Sequence, residues 1–153
     1  MLQTLADLGS VVGSFSLIIA AIALIREMRT QNLQNLFYLH QYLSQDELSN
    51  ARRRVRTEIH RREYHEWNDE DREAASRVCA SYDQAGLLIG AGVLNDQARK
   101  LLLSSSWGES ICDQYESLQP FLYDQQTPSR TGFEFFQHFT ALYNEATKFH
   151  RAS

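Results

Sequence analysis

Leu8 to Ile25 reads LGSVVGSFSLIIAAIALI, eighteen residues without a charge, and the organisation of the chain turns on it. Coiled as a helix at ~1.5 Å per residue, the run is roughly 27 Å long, close to the ~30 Å hydrocarbon layer of a bilayer. Met1 to Ala6 can lengthen it, at the cost of placing Asp7 near the headgroups. The stretch predicts one transmembrane helix. Three other readings compete with it. Ala21-Ile22-Ala23 suits a signal-peptide cleavage site, but MLQTLAD ahead of the run has no Lys or Arg, and the apolar core exceeds the usual ~7–15 residues. Gly9, Ser10, Gly13, Ser14 and Ser16 dilute the hydrophobicity, as in a buried helix of a soluble protein. An interfacial helix needs a charged face, which the run lacks.

Charge sets the expected orientation. Residues 1–25 hold no Lys or Arg, whereas Arg26 and Arg29 follow directly. The positive-inside rule places the short N-terminus outside and the rest in the cytoplasm. This divides the chain into an anchor, residues 1–30, and a helical cytoplasmic domain, residues 31–153. Within the span, Gly9-x-x-x-Gly13, Ser10-x-x-x-Ser14 and Ser16-x-x-x-Ala20 put small residues four apart, a spacing that lets two membrane helices pack backbone to backbone. The expected partners are the bilayer and either a second copy or another membrane protein.

The net charge of −4 hides an asymmetry: residues 1–62 carry +3 and residues 63–153 carry −7. Neither half has the composition of a nucleic-acid binder or an acidic tail. Cys79 and Cys112 are far apart, and in a reducing compartment they are expected as packed thiols. Only two prolines, Pro120 and Pro128, interrupt the chain, which favours long helices.

Beyond the span, Leu33, Leu36, Phe37, His40 and Leu43 recur at helical spacing, so one helix is expected to run on to about Leu43. Ser44-x-x-Glu47 has the form of a capping box and predicts a second helix, with Leu48, Ala51, Val55 and Ile59 inward. Asn68-Asp-Glu-Asp71 opens a third, whose buried face is Ala75, Val78, Cys79, Tyr82, Gly86 and Ile89. Gly86 and Gly90 invite close approach by another helix, and GLLIGAGVL (86–94) reads as a central core segment ending in a Gly92 C-cap. Asn95 starts a fourth helix containing Leu101, Leu102 and Leu103. A box at Ser106-x-x-Glu109 starts a fifth, expected to stop at Pro120, followed by a loop over PFLYDQQTPSR. Thr131-x-x-Glu134 starts the last, with Phe135, Phe136, Phe139, Leu142, Tyr143, Ala146 and Phe149 on one broad face. No stretch alternates like a half-buried strand. The expected fold is all-α: one N-terminal transmembrane helix continuing into a bundle of about five helices.

Signatures of chemistry are missing. No Glu-x-x-His, CxxC or HExxH supports a metal, His60 and His65 fall on different helix faces, and no GxSxG, GxxxxGK[ST] or GxGxxG is present. No cofactor and no catalytic residue is predicted, although a site assembled from distant residues stays open. The sharpest polar feature is Arg52, Arg53, Arg54, Arg56, Arg61 and Arg62. It can contact anionic lipid if the second helix folds back toward the membrane, or an acidic partner. It can equally form a solvated face paired with Glu66, Asp69, Glu70, Asp71 and Glu73. Without a recognition motif or aromatic interleaving, no nucleic-acid partner is expected.

The N-terminal run leading into a charged helix resembles the uncharacterised bacterial family known as domain of unknown function 4760. So do Cys79-Ala-Ser-Tyr-Asp-Gln-Ala-Gly-Leu-Leu88 with Gly92-Val-Leu94, the aromatic helix before Pro120, Arg130, and the final helix with Phe139, Leu142 and Tyr143. The resemblance implies a small membrane-anchored helical domain and supplies no mechanism. Asp83 and Arg130 are polar residues inside the matching blocks, expected either as a structural pair or as part of a ligand pocket near Tyr82 and Gly86. The expected function is an interaction or assembly subunit of a membrane complex, with a ligand-sensing domain as the alternative and an unfamiliar enzyme as the remote one.

Overall fold

Asn68 begins the helix on which the others are assembled. In a computed structural model, which describes residues 23, 26, 27, 30–125 and 135–151, the Asn68 side chain accepts from the Asp71 amide at 2.9 Å while the Asp71 carboxylate accepts from the Asn68 amide at 3.2 Å. This reciprocal cap satisfies two amides, and three acids in the first turn suit the helix dipole. The other helical segments are α1 (residues 30–43, with 23, 26 and 27 also helical), α2 (Asp46–Thr57), α4 (Asp96–Leu103), α5 (Ser106–Gln125) and α6 (Gln137–His150). Asn68 opens α3 (Asp69–Gly90), and short 3-10 turns at Ile59–Arg61 and Tyr64–Glu66 join α2 to it. All regular structure among the described residues is helical, as expected.

α3 buries Ala74, Ala75, Val78, Cys79, Tyr82, Ala85 and Ile89, close to the face the spacing predicts, and packs most extensively against α6 and α2. Its end is also as expected. Gly92, at φ +81°, donates to the Ile89 carbonyl at 3.1 Å and Val93 donates to Leu88 at 3.2 Å, the paired bonds of a Schellman stop. However, GLLIGAGVL is no core segment. Leu87 and Leu88 are exposed, and only Ile89 and Leu94 of the run are buried. The two glycines also differ. A Cβ on Gly86 would lie 2.8 Å from the His138 carbonyl carbon of α6, while one on Gly90 would meet nothing within 4 Å.

α1 lies antiparallel to α3. Tyr42 donates to Gln84 at 2.8 Å, Asn35 to the Val93 carbonyl at 2.9 Å, and the Asn95 amide to Asn32 at 2.9 Å. Its packed side includes Leu36, Leu39 and Leu43, whereas Leu33, Phe37 and His40 of the expected stripe are exposed. The cause is the pair Asn32 and Asn35, which bond the backbone around the α3–α4 turn and so place a partly polar face inward. α2 is also antiparallel to α3, with Glu47 3.5 Å from Arg77 and Arg54 2.8 Å from Asp71. α1 and α2 thus advance along α3 in the same direction, and α2 does not fold back.

Three expected helix ends move. Ser44 makes no capping box: Gln45 precedes α2 without a side-chain cap, and the Ser44 hydroxyl lies 3.4 Å from the His40 ring. At α5 the capping side chain is Ser105, which accepts from the Trp107 amide at 3.2 Å. α5 does not stop at Pro120 but continues to Gln125. A proline inside a helix costs about 3 kcal/mol. Burying Phe121 and Leu122 just beyond it offsets that, at roughly 2 kcal/mol each. The expected start of the last helix at Thr131 lies outside the described residues. The described helix begins at Gln137, after Phe136 in a left-handed conformation at φ 60°.

Among the described residues no helix is long and apolar enough to cross a membrane. Of the predicted span, residues 8–22, 24 and 25 lie outside the described residues.

The glycine contrast is directly testable by chemical denaturation. Gly86→Ala should destabilise the fold by about 2 kcal/mol or more, because helix backbone must move. Gly90→Ala should stabilise it by about 0.5 kcal/mol through the unfolded state.

Candidate functional site

Three groups of residues bear on function: the arginines of α2, the Asp83 region and the outer face of α1. The arginines divide into two classes. Asp71, whose side chain is fully buried, accepts from Arg54 at 2.8 Å and from Arg62 at 2.6 Å. Arg54 also donates to Glu70 at 2.9 Å, and Arg62 to Glu58 at 3.1 Å. Burial pushes the Asp71 pKa up, but the Arg54 hydrogen bond, the Asn68 amide and the charges of Arg54 and Arg62 outweigh it and hold the carboxyl below its ordinary value. These two arginines are structural, tying α2 and the turn after it to the start of α3. Arg53, Arg56 and Arg61 remain exposed, and Arg52 is half-buried, donating to the Leu43 carbonyl. The pairing with Glu70 and Asp71 was legible in the sequence, whereas Glu58 was not singled out. Its spacing four residues from both Arg54 and Arg62 was the available signal.

Asp83 acts at a helix start. Its carboxylate accepts from the amides of His138 at 2.8 Å and Phe139 at 3.1 Å, at the N-terminus of α6. Phe136 supplies no side-chain cap there, so α3 caps α6 from outside. The expected partner Arg130 lies outside the described residues. Beside Asp83, Tyr82 stacks on Phe139 with ring centroids 5.0 Å apart, and the His138 backbone occupies the space over Gly86. The ligand pocket expected near Gly86 therefore has no room on that side.

The small residues of the apolar run, Gly9, Ser10, Gly13, Ser14, Ser16 and Ala20, all lie outside the described residues. Further along the same chain direction, α1 exposes Leu33 (68%), Phe37 (65%) and Tyr38 (66%). The C-terminal turn of α3 adds Leu87 and Leu88 at the end of the bundle where α1 enters. Exposed large apolar groups grouped in this way mark contact surfaces more often than isolated ones do. Helical spacing groups Leu33 and Phe37 with Leu36 and Leu43, but only the latter two are packed.

Both cysteines are free and buried, and burial, with the nearby Asp83, pushes the Cys79 thiol far up. Cys79 is a packing residue rather than a nucleophile. No group of three or more His, Cys, Asp or Glu residues able to hold a metal ion occurs among the described residues.

The chain belongs to the family described as Domain of unknown function (DUF4760), whose model matches residues 10–146. No curated protein and no solved structure matches it.

Two substitutions separate the roles of the carboxylates. Asp71→Asn should cost about 3 kcal/mol near neutral pH, because two arginines lose a buried partner. With its folded pKa depressed, Asp71 contributes stability above the ordinary carboxylate value of ~4 that is lost as pH falls through the folded value. Acid titration of unfolding should accordingly be shallower in the variant. Asp83→Ala should cost about 1–2 kcal/mol, and Asp83→Asn, which keeps an acceptor, clearly less.

Proposed function

We propose that the chain is a single-pass membrane protein of a bacterial cell membrane, anchored by residues 8–25 with its N-terminus outside. Its helical cytoplasmic domain binds another protein, or a second copy, as an assembly subunit of a membrane complex. It acts by association rather than by catalysis. The observation that carries this reading is the outward face of α1, where Leu33, Phe37 and Tyr38 stand exposed on the helix that follows the apolar run. A chain that worked alone would gain solubility from polar residues at those positions. The small residues at four-residue spacing upstream support the same direction, since they favour helix–helix contact inside a bilayer.

Lipid contact by the arginines receives less support. α1 and α2 advance in the same direction along α3, so Arg61 and Arg62 stand at the end of the domain away from where α1 enters. Between these ends α3 alone spans roughly 33 Å at ~1.5 Å per residue. A basic group at that distance cannot reinforce the anchor.

Extraction of the full-length chain from its native membrane in mild detergent, followed by size exclusion and cross-linking, tests the assembly reading. An oligomer or a stoichiometric co-purifying protein is expected, and Leu33→Glu with Phe37→Glu should reduce its recovery several-fold while leaving thermal unfolding unchanged. A strictly monomeric protein without a partner overturns the reading.

A further inference from the structure

A second feature carries a separate proposal, independent of the assembly reading. Between α1, α2, α3 and the α4–α5 turn lies a cleft of about 400 Å³, within the size range of small-molecule sites. Leu39, Leu43, Leu102 and Trp107 give it apolar walls. Its polar groups are the Arg52 guanidinium, the Tyr82 hydroxyl and serine hydroxyls, with His40 at the rim, and among the described residues no Asp or Glu lines it.

The charge is uncompensated, in contrast to the other clefts. In the roughly 580 Å³ cleft beside Trp67, Arg56 and Arg62 face Asp113 and Glu116, and Arg62 is already bound to Asp71. In the cleft between α4 and α6, Arg99 is paired with Glu145. Arg52 meets neutral groups instead, the Leu43 carbonyl and the Tyr82 hydroxyl, and a guanidinium has five N–H donors, so donors remain for a ligand. Other donors are free as well. Tyr82 and Ser110 share one 3.5 Å contact between two hydroxyls, leaving one O–H unused, and Ser106 stands at the exposed rim. Ser105 is committed to the Leu102 carbonyl at 2.6 Å and contributes no donor.

The geometry points to a binding site for a small organic carboxylate with an apolar or aromatic body. Arg52 would take the carboxylate and Tyr82, Ser110 or Ser106 a further hydrogen bond, while the body lies against Trp107, Leu39 and Leu102. A guanidinium fork matches a carboxylate in two parallel hydrogen bonds. One cation balanced by neutral hydroxyls suits a monoanion; a phosphate dianion would bring a second charge with no cation to meet it.

Phenylacetate is the probe, with the full-length chain in detergent micelles and the two tryptophan indole N–H signals followed by NMR. Trp107 lines this cleft, and Trp67 lines the other one. Phenylacetate should shift the Trp107 signal saturably and leave Trp67 in place, while neutral phenylacetamide should do neither. Arg52→Gln should weaken binding by about tenfold or more, the loss expected for a charge-assisted pair. Should Arg52→Gln fail to fold, Ser106→Phe at the rim fills the cleft and should abolish the shift. The proposal is overturned by no saturable shift, by equal binding of phenylacetamide, by a Trp67 shift instead, or by phenyl phosphate binding more tightly than phenylacetate.

Discussion

The contact between the backbone of α6 and the bare Gly86 of α3 governs the packing of this domain. Without a side chain at Gly86, the His138 backbone lies directly on α3, and Asp83, three residues earlier, comes within reach of the first amides of α6. A helix beginning at a left-handed Phe136 with no cap of its own would leave those amides unsatisfied. The same approach brings Phe139 onto Tyr82, and Phe139 in turn meets Tyr115 edge-on at 5.1 Å, which stacks on Tyr143 at 4.0 Å. The missing Cβ at Gly86 thus sets how closely α3 and α6 approach, and Phe139 carries that contact on to α5. α1 is attached to α3 and the turn after it differently, by side-chain hydrogen bonds from Asn35 and Tyr42 and to Asn32, and by burial of Leu39 and Leu43.

Where side chains served the core, the sequence was a good guide. The buried face of α3 follows from its spacing, the Asn68 and Asn95 caps from their positions, and the Gly92 stop from its left-handed backbone. Three of the failures share a physical cause: each depends on a partner distant in sequence. α1 turns its asparagines inward because backbone donors and acceptors of the α3–α4 turn await them, which periodicity in hydrophobicity cannot register. α5 passes through Pro120 because Phe121 and Leu122 find burial beyond it. Asp83 was legible as a polar residue inside a packed block, but its target, a helix start more than fifty residues away, was not.

The arginines show how composition overstates availability. Six in eleven residues read as one basic surface. Two of them, Arg54 and Arg62, are consumed by a single buried carboxylate, and their removal from solution chemistry is enforced by the cost of leaving Asp71 unpaired. The rest do not act together: Arg53, Arg56 and Arg61 face solvent, while Arg52 turns toward α1 and Tyr82.

The two proposed contact regions meet on α1 without overlapping. Leu33 and Phe37 point outward, whereas Leu39 and Leu43 form part of the cleft that holds Arg52. At ~100° per residue these pairs are about 120° apart around the helix, so a protein on the outer face and a small anion on the inner face would not compete for space. They would nevertheless share one helix, which is held to α3 and the turn after it by Asn32, Asn35 and Tyr42 and packed through Leu39 and Leu43. A ligand that restrains this helix from either side would lower the entropy the other must remove, so coupling between two such ligands would be positive.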